Sequence, residues 1–105
     1  MVKERRYTVD ATILPDWMVE NKAIIHKMSI ASSKELVESK SDNEAIKLIE
    51  FEWDNEVYAK LYVHRDDLPE ALENAEKFFV SVDMFEEACE ARDLRPLISK
   101  MSSVE

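Results

Sequence analysis

The chain has 105 residues, 23 of them acidic and 14 basic for a net charge of -9, with one cysteine and no glycine. That length predicts a single domain, residues 1–105, with one modest core. The missing glycine excludes glycine-rich phosphate loops and glycine-flanked nucleophile elbows, the lone cysteine excludes an intramolecular disulfide, and the acidity opposes direct contact with nucleic acid or an anionic membrane.

The charge is uneven. Residues 1–6 sum to +2, 7–64 to -5, 65–93 to -7 and 94–105 to +1. No run approaches the ~20 apolar residues of a membrane span. Met1–Arg6 starts basic but has no apolar run behind it, so no secretory signal is expected, and the cytoplasm is the expected location.

Residues 5–14 alternate, with Tyr7, Val9, Ala11 and Ile13 on one side, and predict a half-buried strand. Pro15-Asp16 ends it and opens a helix over about 16–39. The spacing of Ser32 to Glu35 allows a break near Ser32, and Ala23–Ala31 can also be read as a strand. Residues 40–44 form a polar connector.

Two alternating runs follow, Ala45–Trp53 and Val57–His64, and together they read as a β-hairpin. A two-residue loop, Asp54-Asn55, would place Trp53 against Glu56 and Ile49 against Lys60, mixing charge into both faces. A three-residue loop pairs Trp53 with Val57, Phe51 with Ala59 and Ile49 with Leu61 on a buried face, and Glu50 with Lys60 and Glu52 with Tyr58 outside. The second register is the expectation, with Trp53 in the core.

Asp67 and Glu70 make a capping box with Pro69 in the first turn, and Leu68, Leu72, Ala75 and Phe79 continue at helical spacing. Met84, Phe85, Ala88 and Ala91 predict a further helix, ended by Arg95-Pro96, after which Leu97, Ile98 and Met101 fold back onto the core. The expected fold class is α+β, ordered β-α-β-β-α-α, a three-stranded antiparallel or mixed sheet packed on helices. If Phe78–Val82 is a strand, the order becomes ferredoxin-like, βαββαβ plus a C-terminal helix. The element order, and nothing more, is loosely similar to small bacteriophage proteins that bind host nucleoid or defence proteins.

The chemistry is sparse. His64 and Asp66 form a His-x-Asp pair that could serve a small enzyme with a carboxylate, but no third ligand is spaced to complete a metal site. Cys89 stands among Glu86, Glu87 and Glu90, which blunt a thiol, and reads as a small buried hydrophobe. No catalytic residue, metal or cofactor is expected. Two interaction surfaces are expected instead. Ile46, Leu48 and Tyr62 make an outer apolar patch suited to a homodimer, and Glu73, Glu76, Glu87, Glu90 and Asp93 make an acidic helix face. The expected function is therefore a small acidic, non-catalytic regulator or inhibitor that binds another protein with a basic surface, of the kind a phage or mobile element directs at a host. The alternative is an acidic nucleic-acid mimic that fills a basic cleft.

Overall fold

The structure, a computed structural model, describes residues 6–39 and 44–102. The connector at 40–43 and the terminal residues 1–5 and 103–105 lie outside the described residues. Strand β1 (Arg6–Thr8) is followed by a 3-10 turn (Ala11–Ile13), α1 (Leu14–Glu20), α2 (Lys22–Ser39), the hairpin β2 (Ala45–Trp53) and β3 (Glu56–His64), a 3-10 turn (Arg65–Asp67), α3 (Leu68–Ser81) and α4 (Phe85–Ser102). This is an α+β fold with a three-stranded mixed sheet in the order β1-β2-β3, β1 parallel and β3 antiparallel to β2. Phe78–Ser81 is helical, so the ferredoxin-like alternative does not hold.

The first strand is shorter than the expected 5–14. The Asp10 carboxylate accepts hydrogen bonds from the Thr12 backbone N–H and hydroxyl, both at 2.9 Å. This local turn competes with the ladder and starts the helical segment that Pro15 continues. Ile13, expected inside, is 50% exposed. The helical break comes at Asn21 rather than Ser32. Asn21 leaves the α region (φ -118, ψ 40), its side-chain amide donates to the Trp17 carbonyl at 2.8 Å, and its own carbonyl accepts from Ile24 and Ile25 to begin α2.

Helix α2 lies between two partners. Ile24, Ile25 and Met28 pack on the sheet cluster of Val9, Leu48, Ile49 and Phe51, while Ile30 and Leu36 join the cluster built by α3 and α4. Ser29, Ser32 and Ser33 are buried, and their small side chains permit the close approach. The Ser33 hydroxyl is fully buried and has no hydrogen-bond partner among the described residues. Ser33→Ala is therefore expected to raise stability by about 1 kcal/mol, since it removes an unpaired hydroxyl and improves helix propensity. A shift in thermal midpoint checks this, and a loss of stability would mean that the hydroxyl is paired.

Helix α3 buries Leu68, Leu72, Ala75 and Phe79, the four residues expected. Asp67 does not cap it. Its side chain makes no capping bond, because a 3-10 turn precedes the helix, and His64 Nδ1 accepts from the Asp66 N–H at 3.1 Å instead. The helix ends with Asp83 at φ 63, bracketed by bonds from Met84 N to Phe79 O and from Asp83 N to Val80 O. This is a Schellman turn in which aspartate takes the position that glycine usually fills.

Helix α4 does not stop at Arg95-Pro96. Pro96 and Arg92 are exposed, so the Arg92 carbonyl that loses its donor stands on the solvent side. Leu94 and Ile98 are buried on either side of the proline. Their burial offsets the ~3 kcal/mol that an interior proline costs. Phe85 is exposed (56%) and so is Cys89, which was expected to be buried; the buried stripe is Ala88, Ala91, Leu94 and Ile98.

Candidate functional site

The hairpin register departs from the expectation at both ends. Ile49 pairs with Leu61, Glu50 with Lys60 and Phe51 with Ala59, as expected, but Glu52 faces Val57 and Trp53 faces Glu56. The loop has two residues, Asp54 and Asn55, at φ 56 and 67. Both values are positive, as a type I′ turn needs, and these residue types tolerate them. A bulge at Tyr58 absorbs the mismatch that a regular two-residue hairpin would have carried into the core. Trp53 therefore lies outside the core, 48% exposed. The Asp-Asn dipeptide was the signal that would have placed it there.

The bulged Tyr58 reaches the chain beyond β1. Its hydroxyl donates to the Val9 carbonyl at 2.6 Å. Burial, and then the nearby Asp10 carboxylate, push the Tyr58 phenol above its ordinary pKa, while the Thr12 N–H and then its hydroxyl hold Asp10 low. Tyr58→Phe is expected to cost about 1–2 kcal/mol, because it leaves the buried Val9 position with an unpaired carbonyl. Urea unfolding measures this, and a neutral effect would mean that water replaces the bond.

A second bulge falls at Leu48, between the Lys47–Tyr62 and Ile49–Leu61 pairs. It turns Leu48 to the same side as Ile49, and both are buried. Ser32 of α2 donates to the Lys47 carbonyl there at 3.1 Å. The expected outer patch of Ile46, Leu48 and Tyr62 therefore does not form. Leu48 is 5% exposed, Ile46 packs on the helical core, and Tyr62 alone stands out at 50%. The homodimer built on that patch loses its basis.

The sheet face away from the helices carries a charge ladder. Glu50 Oε1 accepts from Arg6 Nη2 at 2.8 Å, and Glu50 Oε2 accepts from Lys47 Nζ at 2.6 Å. The Lys47 bond first, and the Arg6 bond second, hold the Glu50 carboxyl down at about 2. Its contribution to stability is present above pH ~4.5 and is lost as pH falls through that lowered value. Thr8 and Arg6 meet Glu52 beside it.

Four of the five carboxylates on the acidic face make ion pairs. Glu73 meets Lys77 at 3.4 Å and Arg95 at 3.9 Å, Glu76 meets Arg95 at 3.0 Å, Glu90 meets Lys34 at 2.8 Å, and Asp93 meets Arg92 at 3.0 Å. Of the five carboxylates, Glu87 alone makes no ion pair among the described residues. His64 caps its 3-10 turn, with Asp66 Oδ2 at 3.7 Å from Nδ1, and no metal-holding group of three His, Cys, Asp or Glu exists among the described residues.

Among the described residues, the hairpin tip carries an open surface. Thr8, Glu52, Trp53, Asp54 and Asn55 line an open cleft of about 390 Å3. Val57 and Tyr58 are each 37% exposed next to it in sequence. The tip thus offers one large aromatic face, two smaller apolar ones and the carboxylates of Glu52, Asp54 and Glu56.

No protein-family model matches the chain, and no curated protein or solved structure is significantly similar to it. None of the described helices is long and apolar enough to cross a membrane.

Proposed function

We propose that the chain is a non-catalytic protein-binding module, a small acidic regulator or inhibitor that engages its partner with the tip of the β2–β3 hairpin. The observation that carries this reading is Trp53, half exposed on the rim of the cleft beside a two-residue turn. Exposed tryptophan on a fixed scaffold is the residue type most often found to dominate binding energy, since it brings large area at low entropic cost. The carboxylates around it select the partner. A lysine or arginine can stack on the indole while meeting Asp54 or Glu56, so the complementary surface is basic with an apolar centre. A regulator directed at a host protein of a phage or mobile element fits this chemistry.

The test is recovery of a partner from a candidate host lysate by the immobilised chain and by Trp53→Ala. The expected result is a partner retained by the parent and depleted about tenfold or more by the variant, the size expected of a dominant interface residue. Equal recovery by both overturns the tip as the docking site. Loss on reversing the charges of Glu87 and Glu90 instead would return the acidic helix face to consideration.

A further inference from the structure

We propose that two copies of this chain pair antiparallel along the free edge of β3, centred on Leu61, and join their sheets into one of six strands. The strand order leaves β3 at the edge, and its extensive packing is on β2 alone. The helices lie over β1 and β2, so Ala59, Leu61 and Val63, which face the core side, stay only half-buried. From Ala59 to His64 the edge strand itself is regular, bounded by the bulge at Tyr58 and the 3-10 turn at Arg65. A regular edge of this length presents backbone donors and acceptors ready for another strand.

The occupant is a second copy because the strand is complementary to itself. In an antiparallel pair centred on Leu61, Leu61 meets Leu61 of the second copy, Ala59 meets Val63, and Lys60 meets Tyr62. Core-side residues then oppose core-side residues, and outer residues oppose outer ones. A shift of one residue sets Lys60 against Leu61 and mixes the faces. Centring on Lys60 sets the two ammonium groups against each other. Lysine is a residue type that guards free edges, but in the Leu61-centred register it meets an aromatic face, half exposed and able to receive it. The charge distribution favours the same place. Residues 57–65 contain Lys60 and Arg65 and no acid, so of the net -9 the rest of the chain carries -11. The paired segment 57–65 is thus free of carboxylates, the register brings Glu56 of each copy near Asp66 of the other only at its two ends, and the remaining repulsion is screened beyond ~8 Å at physiological salt. The antiparallel geometry sets the two hairpin tips at opposite ends of the joined sheet, ~40 Å apart at ~3.3 Å per residue, each beside the Arg65–Asp67 turn of the second copy.

Sedimentation of the full chain at tens of micromolar is expected to give twice the 12.3 kDa protomer mass. Tyr62→Lys, which places a charge opposite Lys60 twice across the two-fold axis, is expected to weaken the dimer roughly tenfold, whereas Tyr62→Glu at the same exposed position keeps it. Leu61→Cys in a Cys89→Ser background is expected to oxidise to a covalent dimer, because the two side chains oppose each other at the axis. A monomer throughout this concentration range overturns the proposal. So does a dimer that neither responds to Tyr62→Lys nor cross-links through position 61, since its interface lies elsewhere.

Discussion

Truncating Phe51 to Ala is expected to remove ~3–5 kcal/mol of stability, the range for a buried aromatic. Phe51 is 2% exposed at the centre of the sheet, with Tyr7 of β1 on one side and Ala59 of β3 on the other. Its ring meets Trp17 edge-on, at 5.3 Å and 80°, and this contact ties α1 to the sheet. The truncation therefore leaves a cavity and removes an aromatic pair worth ~0.5–1.5 kcal/mol beyond its area. Because a domain of this size has only ~5–15 kcal/mol in total, the urea midpoint should fall by about a fifth or more, with an unchanged slope. A loss below about 1 kcal/mol would mean that the site collapses around the smaller side chain.

Phe79→Ala is expected to cost a similar ~3–5 kcal/mol in the helical cluster, where Phe79 is fully buried. It also has a second readout. The Phe79 ring lies 6.1 Å from His26 and 5.3 Å from Phe78, which itself stacks on His26 at 4.8 Å. Burial in this group, and then the charge of Lys22, hold the His26 pKa below 6.5. A histidine lowered on folding favours the folded state fully above the unfolded pKa of ~6.5, and this contribution is lost as pH falls through the lowered value. Opening the cluster is expected to return the His26 pKa toward 6.5 and to flatten that part of the pH profile. An NMR titration of His26 with unfolding at neutral and mildly acidic pH measures both. An unchanged His26 pKa in a folded variant would place the cause of its depression in Lys22 instead.

The strongest local patterns survive folding intact. Leu68, Leu72, Ala75 and Phe79 were legible because α3 is amphipathic with a single buried face, so helical spacing alone selects the side that packs. The middle of the hairpin was legible for a similar reason: Ile49 with Leu61 and Phe51 with Ala59 is the alignment that keeps charge out of the buried face. Of the candidate site, the sequence placed Tyr58 on the outer face, but it read Trp53 and Val57 as buried and passed over the Asp54-Asn55 cleft.

Tertiary structure decided the features that depend on two segments at once. The bulges at Tyr58 and Leu48 reconcile a tight turn with the core alignment, and they exist because Tyr58 has the Val9 carbonyl to reach and the Lys47 carbonyl has Ser32 to receive. Neither partner is visible within the hairpin itself. Helix α2 has no single apolar stripe because it is buried against the sheet on one side and the helices on the other, and periodicity cannot resolve two faces at once. Pro96 is tolerated because Leu94 and Ile98 find a core on either side of it. Glu73, Glu76 and Glu90 of the acidic face gain partners because Arg95 and Lys34 come from other helices to meet them. Composition and periodicity thus set which elements form and which way the strongly amphipathic ones face. Contacts between residues distant in the chain set where the strands bulge, which aromatics are left in solvent, and which charges remain unpaired, because each of these outcomes is a competition between a local preference and a partner that only the fold supplies.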